Sequence, residues 1–462
     1  MPNRREVLKG AMAAGGVAAA GGISTSASAN WGMTLPSHLA DFDGSSLVHR
    51  PHADRVLADS GLDGLVAMNP VNVFYLGNHV GYNVKIQQPN PSFVVYPKDP
   101  KKSPILVAGF GDLWNLSNEI HETPDIIPYS APLNWQDYLG QSSAKEVPDA
   151  APGFSNFFQM SEETLSDREK RWLEMDRRLS SEFMPTPQHA LVKALKEAGL
   201  DKAKVAVDDL RIETTLKSAG HDSTVCIDGD NVFRKIRVVK SAVEIAHMRR
   251  IAQINQAATM NALRQVDVGA TNADIDNLFR VEAAKLGAVV TWAVAGSIGG
   301  LPGKEVVEGE SFLVDSVSQI NYYHGDFGRS VVVGEPSNKL KERTRLLKIG
   351  WAAALEIMRP GVAYSDIQAA ATKAMKGASG LENPNVLVVP HSVGLQHTDE
   401  PYRDNLPFVV KDDLVLQEGM TMTVDFPSLE MGWGNCHLED LVVITKDGVE
   451  PLGTIDDPLV VI

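Results

Sequence analysis

Apolar and polar positions fall into blocks along the chain. Gly64-Leu65-Val66-Ala67-Met68, Phe93-Val94-Val95-Tyr96, Ile105-Leu106-Val107 and Lys204-Val205-Ala206-Val207-Asp208 are short apolar runs bounded by turn residues, Asn69-Pro70 among them. Such runs predict buried strands. Between them, helical patterns cover Ala53–Ser60, stopped by Gly61, then 166–183, and 188–198, stopped by Gly199. Residues 110–165, rich in Pro, Asn and Ser, read as an insertion or extended loop. Helix alternating with strand predicts a small α/β domain over residues 45–235.

The pattern changes between 225 and 245. Ser241, followed by Glu244 three residues on, opens a helix with a capping box. A second helix is predicted over 272–286, and strands near 289–294, 311–316 and 329–333. Two more helices follow, from about 338 to 358 and over 365–376, and then strands at 386–389, 421–426 and 439–445. Helices in pairs before runs of strands make the class α+β, with a second domain over 238–462. No internal period of 20–50 residues is evident.

The strands of this second region carry polar residues that a core does not accept alone. Asp315 follows Phe312-Leu313-Val314, His391 follows Val386-Leu387-Val388-Val389-Pro390, and Glu439 precedes Leu441-Val442-Val443-Ile444. Asp326 and Asp425 complete the set. A buried carboxylate without a partner costs several kcal/mol. Lys and Arg are scarce in these segments, Arg329 being nearest, so divalent cations are the natural neutraliser. The separation of eleven between Asp315 and Asp326 is odd, and strand side chains alternate faces. A turn must therefore re-aim the second acid, and His324-Gly325 is a candidate for that bend.

Composition narrows the partners. The 462 residues are 44% hydrophobic and 22% charged, with a net charge of -15 and no basic stripe. This argues against nucleic acid or an anionic membrane surface as a partner; it does not identify the substrate, expected here to be a small molecule or short peptide. Cys226 and Cys436 are too few for a disulfide framework, though one bridge between them is open. Arg4-Arg5, the mild Ala/Gly stretch from Gly10 to Ile23, and Ala27-Ser28-Ala29 form a twin-arginine signal over residues 1–29. They predict export to the periplasm, and the apolar stretch is too short to span a bilayer. Residues 30–44 read as a polar connector.

The order of Asp315, Asp326, His391, Asp425 and Glu439 resembles the pita-bread metallohydrolase family, as does the preceding Val-Lys-Ser-x-x-Glu-Ile-x-x-Met-Arg helix at 239–249. That family includes Xaa-Pro aminopeptidases, prolidases, methionine aminopeptidases, creatinase and a DMSP lyase branch. Gly61–Val66 and Asn72–Leu76 are similar to its creatinase-type N-terminal domain. The resemblance implies a dinuclear site for Mn, Fe, Co or Zn. In it Asp315 chelates one ion, Asp326 and Glu439 bridge, His391 binds the other ion, and Asp425 stands where the family has Glu. It further implies a catalytic role for His397 in substrate contact and proton transfer, and a homodimer. Arg329 is expected to pair with a ligand carboxylate, and His324, His437 and Tyr323 to be structural or to support the ligands from behind.

The chain also departs from the family. The loop Gly299–Lys304 lacks the peptidases' histidine, and Asp315-Ser316-Val317 replaces Asp-x-Gly. Asp425 is one methylene shorter than Glu, and the interval from His391 to His397 is one residue shorter than in the peptidases. The short interval is similar to the DMSP lyase branch, which nevertheless has an acid where His397 stands. The expected activity is Xaa-Pro dipeptidase or aminopeptidase hydrolysis. The alternatives are a lyase or creatinase-like enzyme on the same fold, and an inactive binding relative.

Overall fold

A computed structural model describes residues 44–86, 92–116, 125–129, 164–296, 305–404, 413–454 and 457–462. The twin-arginine segment, nearly all of the connector and the Gly299–Lys304 loop lie outside them. The first half is an α/β arrangement. Its helices are α1 (Arg50–Asp59), α2 (Pro70–Gly77), α3 (Tyr82–Lys85), α4 (Phe110–Leu116), α5 (Asp167–Leu179), α6 (Pro187–Ala198), α7 (Arg211–Ser218) and α8 (Asp230–Arg237). Strands β1 (Gly64–Ala67), β2 (Phe93–Pro97), β3 (Ile105–Gly109), β4 (Asp125–Tyr129), β5 (Lys204–Val207) and β6 (Val225–Asp228) form one mixed sheet in the order β4-β3-β2-β1-β5-β6. Two expectations are corrected here. Asn69-Pro70 is not a free turn but the start of α2, with Asn69 capping Val71 N and Pro70 in the first turn, where its missing N–H costs nothing. Within 110–165, α4 and β4 are regular; Pro128 hides β4 from the pattern, and β4 pairs in parallel at the sheet edge.

The second half begins with two helices, α9 (Ala242–Leu263) and α10 (Asn272–Lys285), followed by β7 (Val289–Gly296), β8 (Ser311–Ile320) and β9 (Tyr323–Val332). The same order then recurs: α11 (Asn338–Ile357) and α12 (Tyr364–Ser379), then β10 (Val389–Ser392) and β11 (Thr421–Asp425). After these come β12 (Ser428–Glu430), β13 (Gly434–Cys436), β14 (Leu438–Asp440), β15 (Val442–Ile444), β16 (Val449–Pro451) and β17 (Leu459–Val461). One sheet runs β14-β9-β8-β7 with β17 also on β9, a second runs β10-β11-β15-β16, and β12 pairs with β13. The α+β class is observed. The apolar run 386–390 is only partly strand: β10 starts at Val389 and carries His391, while Leu387 is exposed.

The Ser241–Glu244 capping box forms as the spacing predicts. Helix α9 lies flat on the hairpin of β8 and β9. At Gly325 a methyl group would meet Asn255 Cβ at 2.6 Å and the Ile251 carbonyl oxygen at 2.8 Å, so only glycine permits this approach. The chain therefore does not reverse at His324-Gly325. It reverses at Asn321-Tyr322, both with positive φ (48° and 67°), as a two-residue hairpin turn of primed type requires. Phe74 of α2 meets the rings of Tyr322 and Tyr323 at 5.7 and 6.3 Å, so the first half packs on the hairpin tip. Cys226 and Cys436 are both free thiols. Among the described residues no helix is long and apolar enough to cross a membrane.

Candidate metal centre

Strand register brings the acids together. Asp315 lies opposite Gly328, and Asp326 opposite Val317, so the two acids are diagonal neighbours on one face of the hairpin. Glu439 of β14 is opposite Gly328 from the other side and joins the same row as Asp315. Trp292 of β7 pairs with Val317 and so falls in the row of Asp326. His391 and Asp425 come from the neighbouring sheet, on β10 and β11, and His397 comes from the loop after β10.

Two groups result. Asp326, His391 and His397 offer ligand atoms within 4.8 Å of one another, and so do Asp315, His437 and Glu439. Glu439 faces both groups: Oε1 is 3.3 Å from His391 Nε2, and Oε2 is 3.5 Å from His437 Nε2. Asp326 Oδ2 lies 2.9 Å from His397 Nε2 and 3.9 Å from His391 Nε2. Asp425 is outside both groups and contacts His437 Nε2 through Oδ1. The edge of Trp292 meets the His397 ring at 4.4 Å.

The electrostatics show what the cluster accommodates. Burial, together with Asp326, Asp425 and Asp315, pushes the Glu439 carboxyl well above the usual carboxylate range. Burial likewise raises Asp315 to about 6, although His437 pulls the other way. Burial would raise Asp326 too, but His397 holds it below its ordinary value. Burial would lower His437, but Asp425 overrides it and lifts the imidazole to about 9. Burial also works against His397, which Asp326 raises. Among the described residues, Asp326, Asp425 and Glu439 pair only with histidines. Among the described residues no formed hydrogen bond serves Asp315 Oδ1, Asp326 Oδ1 or Glu439 Oε1, all buried. Buried oxygens without such a bond, opposed by imidazole nitrogens, fit divalent cations.

Other expected residues take different places. Arg329 pairs with Asp440 at 2.7 Å, a carboxylate outside both groups. It donates to the Glu439 backbone carbonyl at 2.9 Å and so pins β14 to β9 at the residue before its partner. His324 is buried, its backbone N–H donating to the Gly394 carbonyl at 2.9 Å, and burial and His397 keep its imidazole below the usual range. His437, expected to support the site from behind, stands inside it. A methyl group on Gly328 would lie 2.3 Å from the His437 ring. Gly328, with Gly325 one of two glycines in the buried strand β9, was the available signal that something sits over that position.

The loop carrying His397 is held from beneath. Asp399, fully buried, accepts from Arg237 Nη2 at 2.6 Å and Nε at 3.1 Å, and from Leu395 N–H at 3.2 Å. Lys240 Nζ stands 3.7 Å from its other oxygen. Arg237 also reaches Gln396 Oε1 at 2.7 Å and Asn72 Oδ1 of α2.

Residues 246–446 match metallopeptidase family M24. The Xaa-Pro dipeptidase of Pyrococcus furiosus is 25% identical over 232 residues, covering 48% of this chain and 65% of that protein. The probable dipeptidase PepE of Mycobacterium bovis is 28% identical over 245 residues, covering 50% of this chain and 63% of that protein. The matched stretch thus spans just under two thirds of these relatives. The fold likeness reaches further. An X-Pro aminopeptidase from Thermotoga maritima superposes with a TM-score of 0.59 at 19% identity, over 88% of this chain and 100% of that one. An Xaa-Pro dipeptidase from Bacillus anthracis gives 0.60 at 17% identity, over 89% and 99%. Residues 246–446 are thus similar in sequence to metallopeptidase family M24, and the chain shares its fold with solved Xaa-Pro dipeptidase and X-Pro aminopeptidase structures.

Proposed function

We propose that the protein is a dinuclear-metal dipeptidase or aminopeptidase acting on Xaa-Pro substrates. The observation that carries this reading is the pair of buried groups joined by Glu439, whose carboxylates have only histidines for cationic partners among the described residues. Asp315, Asp326, His391 and Glu439 would hold two divalent ions, which in such a site polarise the scissile carbonyl and activate the attacking water. His397 has its Nε2 on Asp326 and its ring against Trp292. From there it contacts the substrate and moves a proton between Nε2 and the reacting groups. Burial of the carboxylates excludes bulk water and strengthens every charge interaction in the site.

The test is turnover. Metal-stripped full chain, reloaded separately with Mn2+, Fe2+, Co2+ and Zn2+, releases the N-terminal amino acid from Xaa-Pro dipeptides only after reloading. A metal-replete chain that turns over no member of a dipeptide panel overturns the peptidase reading. The short interval from His391 to His397 would then favour a lyase or C–N hydrolase for a small zwitterion, and Asp425 in place of Glu an inactive binding relative. The same reading includes export through the twin-arginine pathway to the periplasm, supported by Arg4-Arg5 and the Ala27-Ser28-Ala29 motif. Replacing both arginines by lysine is expected to leave the precursor in the cytoplasmic fraction, read by immunoblot after cell fractionation.

A further inference from the structure

His437 stands where a supporting residue was expected, and its surroundings are those of a ligand. Nε2 points at carboxylates from three strands: Asp425 Oδ1 in contact, Glu439 Oε2 at 3.5 Å, and Asp315 within the same 4.8 Å group. The other ring nitrogen, Nδ1, faces the Val314 backbone carbonyl at 3.4 Å. A ring nitrogen tied to a backbone carbonyl is how proteins fix the tautomer of a metal-binding histidine, and it turns Nε2 toward the three carboxylates. The ring is buried, and Gly328 clears the space beneath it. Among the described residues nothing hydrogen-bonds to the buried Asp315 Oδ1, so the group around His437 contains a buried oxygen that protein hydrogens do not serve.

We infer that His437 is itself a metal ligand, binding through Nε2 beside Asp315 and Glu439. Each of the two ions then receives an imidazole, His391 on one side and His437 on the other. Asp425, whose side chain is more exposed than those of His437 or Glu439, abuts the same imidazole nitrogen, while the Val314 carbonyl orients the ring. The short Asp side chain and the histidine thus belong to one arrangement: where a longer carboxylate would reach the ion, an imidazole supplies the donor. A site with nitrogen on both ions takes borderline ions such as Zn2+, Co2+ or Fe2+ more readily than one whose second position is all oxygen. The inference rests on the dinuclear-metal reading, but its test reads coordination rather than turnover.

The rival role for a buried imidazole among carboxylates is a resident counter-ion, and the two roles predict opposite signs. Removing a ligand weakens metal binding, whereas removing a positive charge beside the site strengthens it. His437→Gln keeps the side-chain volume roughly and preserves an amide donor toward Val314. In the full chain loaded with Zn2+, this variant is expected to bind at least about tenfold more weakly by competition with a chromophoric chelator. It is also expected to lose more affinity for Zn2+ than for Mn2+, and its X-ray absorption spectrum to show one imidazole fewer per ion pair. Gly328→Ala, which crowds the same ring from below, gives an independent variant and is expected to weaken Zn2+ in the same direction. Unchanged imidazole scattering, or tighter Zn2+ binding in His437→Gln, overturns the assignment and leaves the peptidase reading standing. A wild-type chain that binds no divalent ion overturns both.

Discussion

At Gly328 a methyl group would lie 2.3 Å from both Nδ1 and Cε1 of His437, and the strand there is buried on both faces. Neither β9 nor β14 can shift to make room, because Arg329 fastens them to each other one residue away. Gly328→Ala is therefore an overpacking substitution in a rigid place and is expected to destabilise the fold by about 1–3 kcal/mol. Thermal unfolding of the metal-stripped protein checks this without interference from ion binding. His397 presents a different case at the same scale. It is the most exposed imidazole of the cluster, at 28% side-chain exposure, and it is the one in contact with Trp292. His397→Gln is expected to lower kcat by about 10²–10⁴ with metal content unchanged. Elemental analysis beside steady-state kinetics separates that outcome from loss of a ligand.

At the scale of the element, the loop after β10 places His397, and its geometry depends on charges buried outside the metal cluster. Asp399, with Arg237 and Lys240 around it, is an ion cluster removed from water. Gly394 is packed so tightly against it that a methyl group would lie 2.5 Å from Asp399 Oδ2. Breaking a buried pair by neutralising one partner typically costs about 3–5 kcal/mol, because the remaining charges stay unpaired. Asp399→Asn is expected to show a loss of that order in chemical denaturation and, where still folded, a reduced kcat from a displaced His397. Elements of this second half were readable where local signals agree with tertiary context: the Ser241 capping box, the long helices, and the apolar strands before Asp315 and after Glu439. The gathering of buried acids was readable because acids entering apolar strands demand a neutraliser. What sequence could not show is register. Asp315 and Asp326 share a face because the reversal falls at Asn321-Tyr322, and tyrosine in a left-handed turn position is not a turn signal. His437 and the partnership of Arg329 with Asp440 were hidden for the same reason, since each depends on which residue of β9 faces which residue of β14.

Across the whole molecule, the first sheet and the second half meet around the start of α9, where a buried carboxyl is expected to make the junction respond to pH. Arg237 links Asn72 of α2 to the His397 loop, while Glu244, fully buried, accepts from Tyr323 Oη at 3.1 Å at the head of β9. Burial pushes the Glu244 carboxyl up to about 8, even with Lys240 nearby and the Ser241 N–H donating to it. A carboxyl whose value is raised on folding favours the protonated form in the folded state. Its contribution to stability is therefore complete below the ordinary value near 4.5 and declines as pH rises through about 8. Gln in this position keeps the capping-box hydrogen bond but cannot ionise. Glu244→Gln and the parent chain are thus expected to unfold at similar denaturant concentrations near pH 4.5. The gap between them should widen in favour of the variant toward pH 8 and level off above it, on a scale of about 1.4 kcal/mol for each unit of displacement. Parallel urea titrations of metal-stripped protein from pH 4.5 to 9 measure that gap. A constant difference would mean that Lys240 holds Glu244 ionised throughout, and the junction would then be a buried ion pair instead of a protonated hinge between the two halves.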